Sequence, residues 1–190
     1  MSYKVEPFMT EVESQWLKRL RKGEEGATRE LVEAYASSLR RYLVSMLKNP
    51  QDAEELSQDV LLHFLKGLAS FRGECSIKTY LFRIAHNLAL NHLSSATARY
   101  ETLPGELSPV AAGGESPHSA VQSGERVEAL RKALTGLPPQ QRAVVTLKTW
   151  LDFTFKEIAS VLSLKEGTVK AHYFFGIRSL KKLMEVIDES

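Results

Sequence analysis

Residues 155–184 read FKEIASVLSLKEGTVKAHYFFGIRSLKKLM. Ile158, Ala159 and Leu162 recur at helical spacing, Ser163-Leu164-Lys165 interrupts the pattern, and a longer periodic stretch runs from about Glu166 to Ile187. Just ahead, Thr154-Phe155-Lys156-Glu157 is a capping box, whose hydroxyl and carboxylate satisfy two amides the first turn leaves unpaired. The pattern is a short helix, a tight turn and a longer helix. Ala159 is small enough for the two to cross, and Ile158, Leu162, Leu164 and Val169 fill the wedge between them. Thr168, Lys170, His172 and Phe175 fall away from the apolar face, and Arg178, Lys181 and Lys182 are placed for phosphate contacts. Between Lys165 and Lys182 the only acid is Glu166. This is the pattern of a helix-turn-helix, which lays its second helix in a major groove. The plainer alternative is a helical hairpin with a solvated basic face.

Upstream of this motif, Pro138 and Pro139 suit the first turn of a helix carrying Val144, Val145, Leu147 and Leu151. Val127, Leu130 and Leu134 open another that Gly136 closes. Before these, residues 96–123 gather Pro104, Pro109, Pro117, Gly105, Gly113 and Gly114 without apolar periodicity, which reads as a linker. The half before the linker is again helical. Leu31, Tyr35, Leu39, Tyr42 and Met46 make one stripe, and Asn49-Pro50 ends it. Leu56, Val60, Phe64 and Leu68 make a second stripe, Ile77, Leu81, Ile84 and Leu88 a third, and a shorter amphipathic piece lies near 12–21. No stretch alternates as a strand does. The fold class expected is all-α, two small helical domains joined by a flexible linker.

Between the second and third stripes lies SFRGECS, residues 70–76, where Gly73 supplies a turn and Ser76 a helix cap. Here and just beyond, Arg72, Lys78 and Arg83 interleave with Phe71, Tyr80 and Phe82. Rings beside cations suit unpaired bases; rings at helical spacing also suit a core. Asp52, Glu54, Glu55 and Asp59, with Gln58, form an acidic helix face that solvation alone would explain.

Composition narrows the function classes. With 25 Lys and Arg against 23 Asp and Glu, the net charge of +2 does not mark a nucleic-acid binder, so any such surface must be local. One cysteine, Cys75, excludes an intrachain disulfide framework. No apolar run is long enough to span a membrane, and MSYKVEPFMTEVE lacks a signal core, so a cytoplasmic chain is expected. His86 and His92 lie six apart, the wrong interval for two ligands on one helical face, and Cys75 has no CxxC partner. Without a nucleophile elbow, P-loop or zinc motif, neither enzyme activity nor a metal or cofactor is expected.

Two blocks together carry a resemblance. Residues 53–93, AEELSQDVLLHFLKGLASFRGECSIKTYLFRIAHNLALNHL, precede residues 134–183, LTGLPPQQRAVVTLKTWLDFTFKEIASVLSLKEGTVKAHYFFGIRSLKKL. In this order they resemble the extracytoplasmic-function (ECF, group four) sigma factors of bacterial RNA polymerase, over roughly 25–95 and 124–185. The resemblance implies a sigma-two domain at 25–95 behind an N-terminal extension and first helix at 1–24. It also implies a linker at 96–123 and a sigma-four domain at 124–190. It gives Asp52, Glu54, Glu55, Gln58 and Asp59 the role of binding core polymerase through the β′ clamp helices. Minus-ten recognition and melting, with capture of a flipped base, falls on Phe71, Arg72, Gly73, Glu74, Ser76, Lys78, Tyr80, Arg83 and Asn87. Minus-thirty-five recognition falls on Thr168, Lys170, Ala171, His172, Phe175, Arg178 and Lys181. The implied partners are core RNA polymerase (β′ clamp helices and β flap), promoter DNA and an anti-sigma factor, which can hold the chain at a membrane. The chain departs from the family at Tyr80, where many members have Trp, and at Ser163, where the turn usually has Gly. It departs also at His172 and Phe175, where basic residues are common, and at Ser57, usually aliphatic. The competing functions are a free-standing helix-turn-helix regulator and a helical adaptor without a DNA role.

Overall fold

The computed structural model describes residues 9–47, 49–101 and 130–188, without the side chains of 96–101 and 185–188. These residues form helices α1 (Glu11–Arg21), α2 (Glu25–Met46), α3 (Pro50–Gly67), α4 (Ile77–Glu101), α5 (residues 130–135), α6 (Pro139–Trp150), α7 (Phe155–Leu162) and α8 (Glu166–Asp188). Among the described residues there is no strand. Local chemistry accounts for the starts. Thr10 accepts from the Glu13 amide at 3.2 Å while Glu13 accepts from the Thr10 amide at 2.9 Å, a capping box opening α1. Asn49 accepts from the Gln51 amide at 2.9 Å with Pro50 in the first turn of α3, and Ser76 accepts from the Thr79 amide at 3.0 Å at the start of α4. The expected Thr154–Glu157 box is present at α7. Helix α4 continues through 96–101, into the stretch read as linker, because no proline or glycine stands before Pro104 to stop it. The rest of that linker, 102–123, lies outside the described residues.

Helices α1–α4 form the first unit. Leu31, Leu39, Leu43 and Met46 from α2 meet Val60 and Phe64 from α3 and Ile77, Leu81 and Phe82 from α4, all fully buried. Helices α5–α8 form the second, around Val144, Leu147, Ile158, Val161 and Val169. A smaller cluster of Leu134, Leu137 and Val145 receives Ile177, Leu180 and Leu183 from α8. Gly176 permits that approach: a Cβ there would stand 2.7 Å from Val145 Cγ2. The two apolar cores are continuous, α6 and α7 lying against α2 and α4.

One polar pair sits inside the first unit. Tyr42 is fully buried and its hydroxyl lies 2.9 Å from His86 Nδ1. Burial pushes the Tyr42 hydroxyl upward and pulls His86 down to about 4. The unfolded chain therefore binds a proton at His86 between about pH 6.5 and 4 that the folded chain refuses, so this site's contribution to stability falls as pH falls through that window. Chemical denaturation should show the protein losing about 2 kcal/mol of this contribution between pH 7 and pH 5. The loss should be largely absent in His86→Gln.

Candidate nucleic-acid interface

The helix-turn-helix forms as its spacing predicts. Ser163 closes α7 at φ 54°, ψ 42°, the left-handed conformation for which glycine is usual. The Leu164 amide then donates to the Ala159 carbonyl at 2.9 Å, and Val169 is buried under the crossing. Thr168, Lys170, Ala171, Phe175, Arg178 and Lys181 are exposed on α8, and His172 is half-buried. Lys170 pairs with Glu166 at 2.7 Å, leaving the remaining cations of that face without an acid among their described neighbours.

The 70–76 segment leaves an open cleft of about 260 Å³ lined by Ser70, Phe71, Arg72, Glu74, Cys75, Tyr80 and Arg83. Arg21 of α1 holds its rim, donating from Nε to the Leu68 carbonyl at 3.2 Å and from Nη2 to the Phe71 carbonyl. Gly73 turns the chain at φ 73°. The aromatics divide between the two roles left open above. Phe82 is fully buried and Phe71 is 5% exposed, so both are core. Tyr80 is half-buried and stacks on Phe71 with centroids 4.6 Å apart and planes at 24°. Of these two rings lining the cleft, Tyr80 is the more exposed, and Phe71 packs behind it. Arg72, Glu74 and Asn87 are exposed, and Ser76 serves as the α4 cap. Burial pushes the Cys75 thiol up, against the pull of Arg83, which makes it a poor nucleophile.

Lys78 and Arg83 point at the second unit. Lys78 Nζ donates to the Leu151 carbonyl at 2.9 Å and sits 4.1 Å over the Phe153 ring. Arg83 donates to the Ser160 carbonyl at 3.1 Å and to its hydroxyl at 2.8 Å. Phe153 meets Phe82 edge-on at 5.0 Å. At the other end of the seam, buried Arg142 of α6 donates to the Met46 carbonyl at 2.8 Å and to those of Thr135 and Leu137 at 2.8 and 2.9 Å. The acids of α3 differ in their pairing. Asp52 lies 2.9 Å from His92 Nε2 and Glu54 2.5 Å from Arg40, two partly exposed pairs to neighbouring helices. Glu55, Gln58 and Asp59 are exposed on one face together with Leu62, which is 50% exposed.

Residues 31–99 match the family model for Sigma-70 region 2, and residues 127–180 that for Sigma-70, region 4. The chain belongs to the sigma-70 family of sigma factors. The sigma factor is 27% identical to the ECF RNA polymerase sigma factor SigW of Bacillus subtilis over 87% of its own length and 93% of that protein's. It is equally 27% identical to the RNA polymerase sigma-H factor of Pseudomonas aeruginosa, over 92% and 95% of the two chains. Its fold is shared with the sigma factor RpoE of Bartonella quintana, solved in complex with the anti-sigma factor NepR. The TM-score is 0.71 at 21% identity, over 83% of this chain and 96% of that one. A second structure, CnrH in complex with the cytosolic domain of CnrY, gives 0.70 at 18% identity, over 93% and 99%. The free-standing regulator is not favoured by these matches.

Sequence reasoning missed Leu62, Arg142, Leu151, Phe153 and Ser160. Arg142 carried a signal, a cation directly before the apolar run at 143–147 of α6; the others had none, since two of them act through backbone carbonyls. Among the described residues no His, Cys, Asp and Glu cluster could hold a metal, and no helix is long and apolar enough to cross a membrane. Gly73→Ala tests the cleft's geometry: positive φ opposes a Cβ, which would also stand 3.0 Å from Met9 Sδ. Denaturant unfolding should show a loss of about 1 kcal/mol.

Proposed function

We propose that this sigma factor binds core RNA polymerase, carries it to promoters and opens the DNA there. The observation that carries this reading is the pairing in one chain of an exposed acidic face and a basic aromatic cleft with a helix-turn-helix. Glu55, Gln58 and Asp59 meet the β′ clamp helices, with Leu62 adding an apolar contact and Asp52 and Glu54 bracing the helix. A base leaving the minus-ten duplex enters the cleft of about 260 Å³ and stacks on Tyr80, which offsets part of the unstacking cost. Gly73 shapes that cleft, Ser76 fixes α4 beneath it, Arg72 faces phosphate, and Glu74 and Asn87 supply polar contacts. On α8, Thr168, Ala171, His172 and Phe175 face bases, while Lys170, Arg178 and Lys181 neutralise phosphates. The domain limits 1–24, 25–95, 96–123 and 124–190 follow from this division, with the last also reaching the β flap. An anti-sigma factor is the natural restraint, and the site of action is the cytoplasm.

Lys78 and Arg83 have a part in both states. Their donors lie against the second unit, so engagement of minus-ten DNA requires the two units to separate. Binding the polymerase, whose clamp and flap take one unit each, supplies that separation.

Run-off transcription with core polymerase and a genomic promoter library, read by sequencing the transcripts, tests the proposal. Discrete start sites absent without the protein are expected; none, with folded protein present, sinks it. Asp59→Lys should weaken association with core at least tenfold without altering the fold. Tyr80→Ala should leave that association intact and reduce permanganate-reactive open complex by about tenfold, the stacking of one base.

A further inference from the structure

Helix α8 exposes an apolar patch within its basic face. Phe174 and Phe175 are 62% and 52% exposed, with centroids 5.5 Å apart and planes at 76°. Packing does not require them there, because the inward side of α8 is supplied by Val169, Tyr173, Gly176, Ile177 and Leu180. Phe175 follows Thr168, Ala171 and His172 at intervals of seven, four and three, so it shares their face. Next to it Arg178, Lys181 and Lys182 border an open groove, and the nearby acid Glu166 is paired with Lys170. An apolar centre one helix wide with a cationic rim matches the major groove in charge and chemistry. Phosphates flank such a helix, and the C5-methyl of thymine is the one apolar group that a base edge offers there.

We propose that Phe175, braced edge-on by Phe174, reads thymine methyl groups in the minus-thirty-five element. The inference rests on the function proposed above, in which α8 enters that groove. A phenyl ring has no hydrogen-bond donor for guanine O6 and N7, whereas arginine at this position would supply two. The preference of this chain at the base facing Phe175 is accordingly for a T·A pair, set by an apolar contact and unaided by charge.

The test uses holoenzyme assembled from core polymerase and the full chain. Duplexes randomised over the upstream element are selected, and each thymine in the recovered element is then replaced singly by deoxyuridine, which removes only the methyl. Wild type should bind about fourfold more weakly at one or two positions, the value of one buried methyl group. Phe175→Ala should abolish that difference, and Phe175→Arg should change the selected pair at the same position from T·A to G·C. Both substitutions are at an exposed site, and circular dichroism confirms the folded state. Equal affinity for thymine and deoxyuridine at every position, with an upstream element still selected and Lys170→Ala still weakening it, overturns the methyl reading alone. Retention of methyl discrimination by Phe175→Ala overturns the assignment to Phe175. Failure to select any upstream element overturns the placement of α8 in the groove, and with it the function proposed for that helix.

Discussion

Three cations hold the two halves of this protein together, and each ends on a backbone carbonyl near a helix C-terminus. Arg142 reaches Met46 at the end of α2, Lys78 reaches Leu151 just past α6, and Arg83 reaches Ser160 in the last turn of α7. The last four carbonyls of a helix have no intrahelical partner and gather the negative end of its dipole. They are good acceptors for a cation, but weaker ones than a fully charged phosphate. Lys78 and Arg83 are thereby satisfied in the closed chain. Arg142 is buried within the seam, where its loss would leave three carbonyls unpaired.

The same contacts explain what the sequence could and could not say. Helical stripes, the Thr154–Glu157 box, the Ser76 cap and the Ser163 turn are local, with partners within five residues, so spacing sufficed to find them. The seam is not local: Lys78 and Leu151 stand 73 residues apart, and Arg83 and Ser160 stand 77 apart. Periodicity tells which residues share a face, not which face meets a second unit. It also could not divide Phe71 from Tyr80, since both lie beside the same apolar stripe and only the course of 70–76 buries the first. Nor could it show that Asp52 and Glu54 are paired, since their partners His92 and Arg40 come from other helices.

A chain that is almost neutral overall has sorted its charge by surface. Acids dominate the exposed face of α3 and cations that of α8, while Lys78 and Arg83 of α4 are turned toward the second unit. The sigma-factor relatives match 87% and 92% of the chain, and both units belong to the family design.

The central claim, that closure and promoter engagement exclude each other, is tested most directly by a distance across the seam. Spin labels at exposed Ala34 and Lys165, in a chain carrying Cys75→Ser, report that distance by double electron–electron resonance. The free protein should give one narrow distribution, and the open complex with core polymerase and promoter DNA a clearly longer one. An unchanged short distance in a transcribing complex would contradict the account, as would a broad distribution in the free chain.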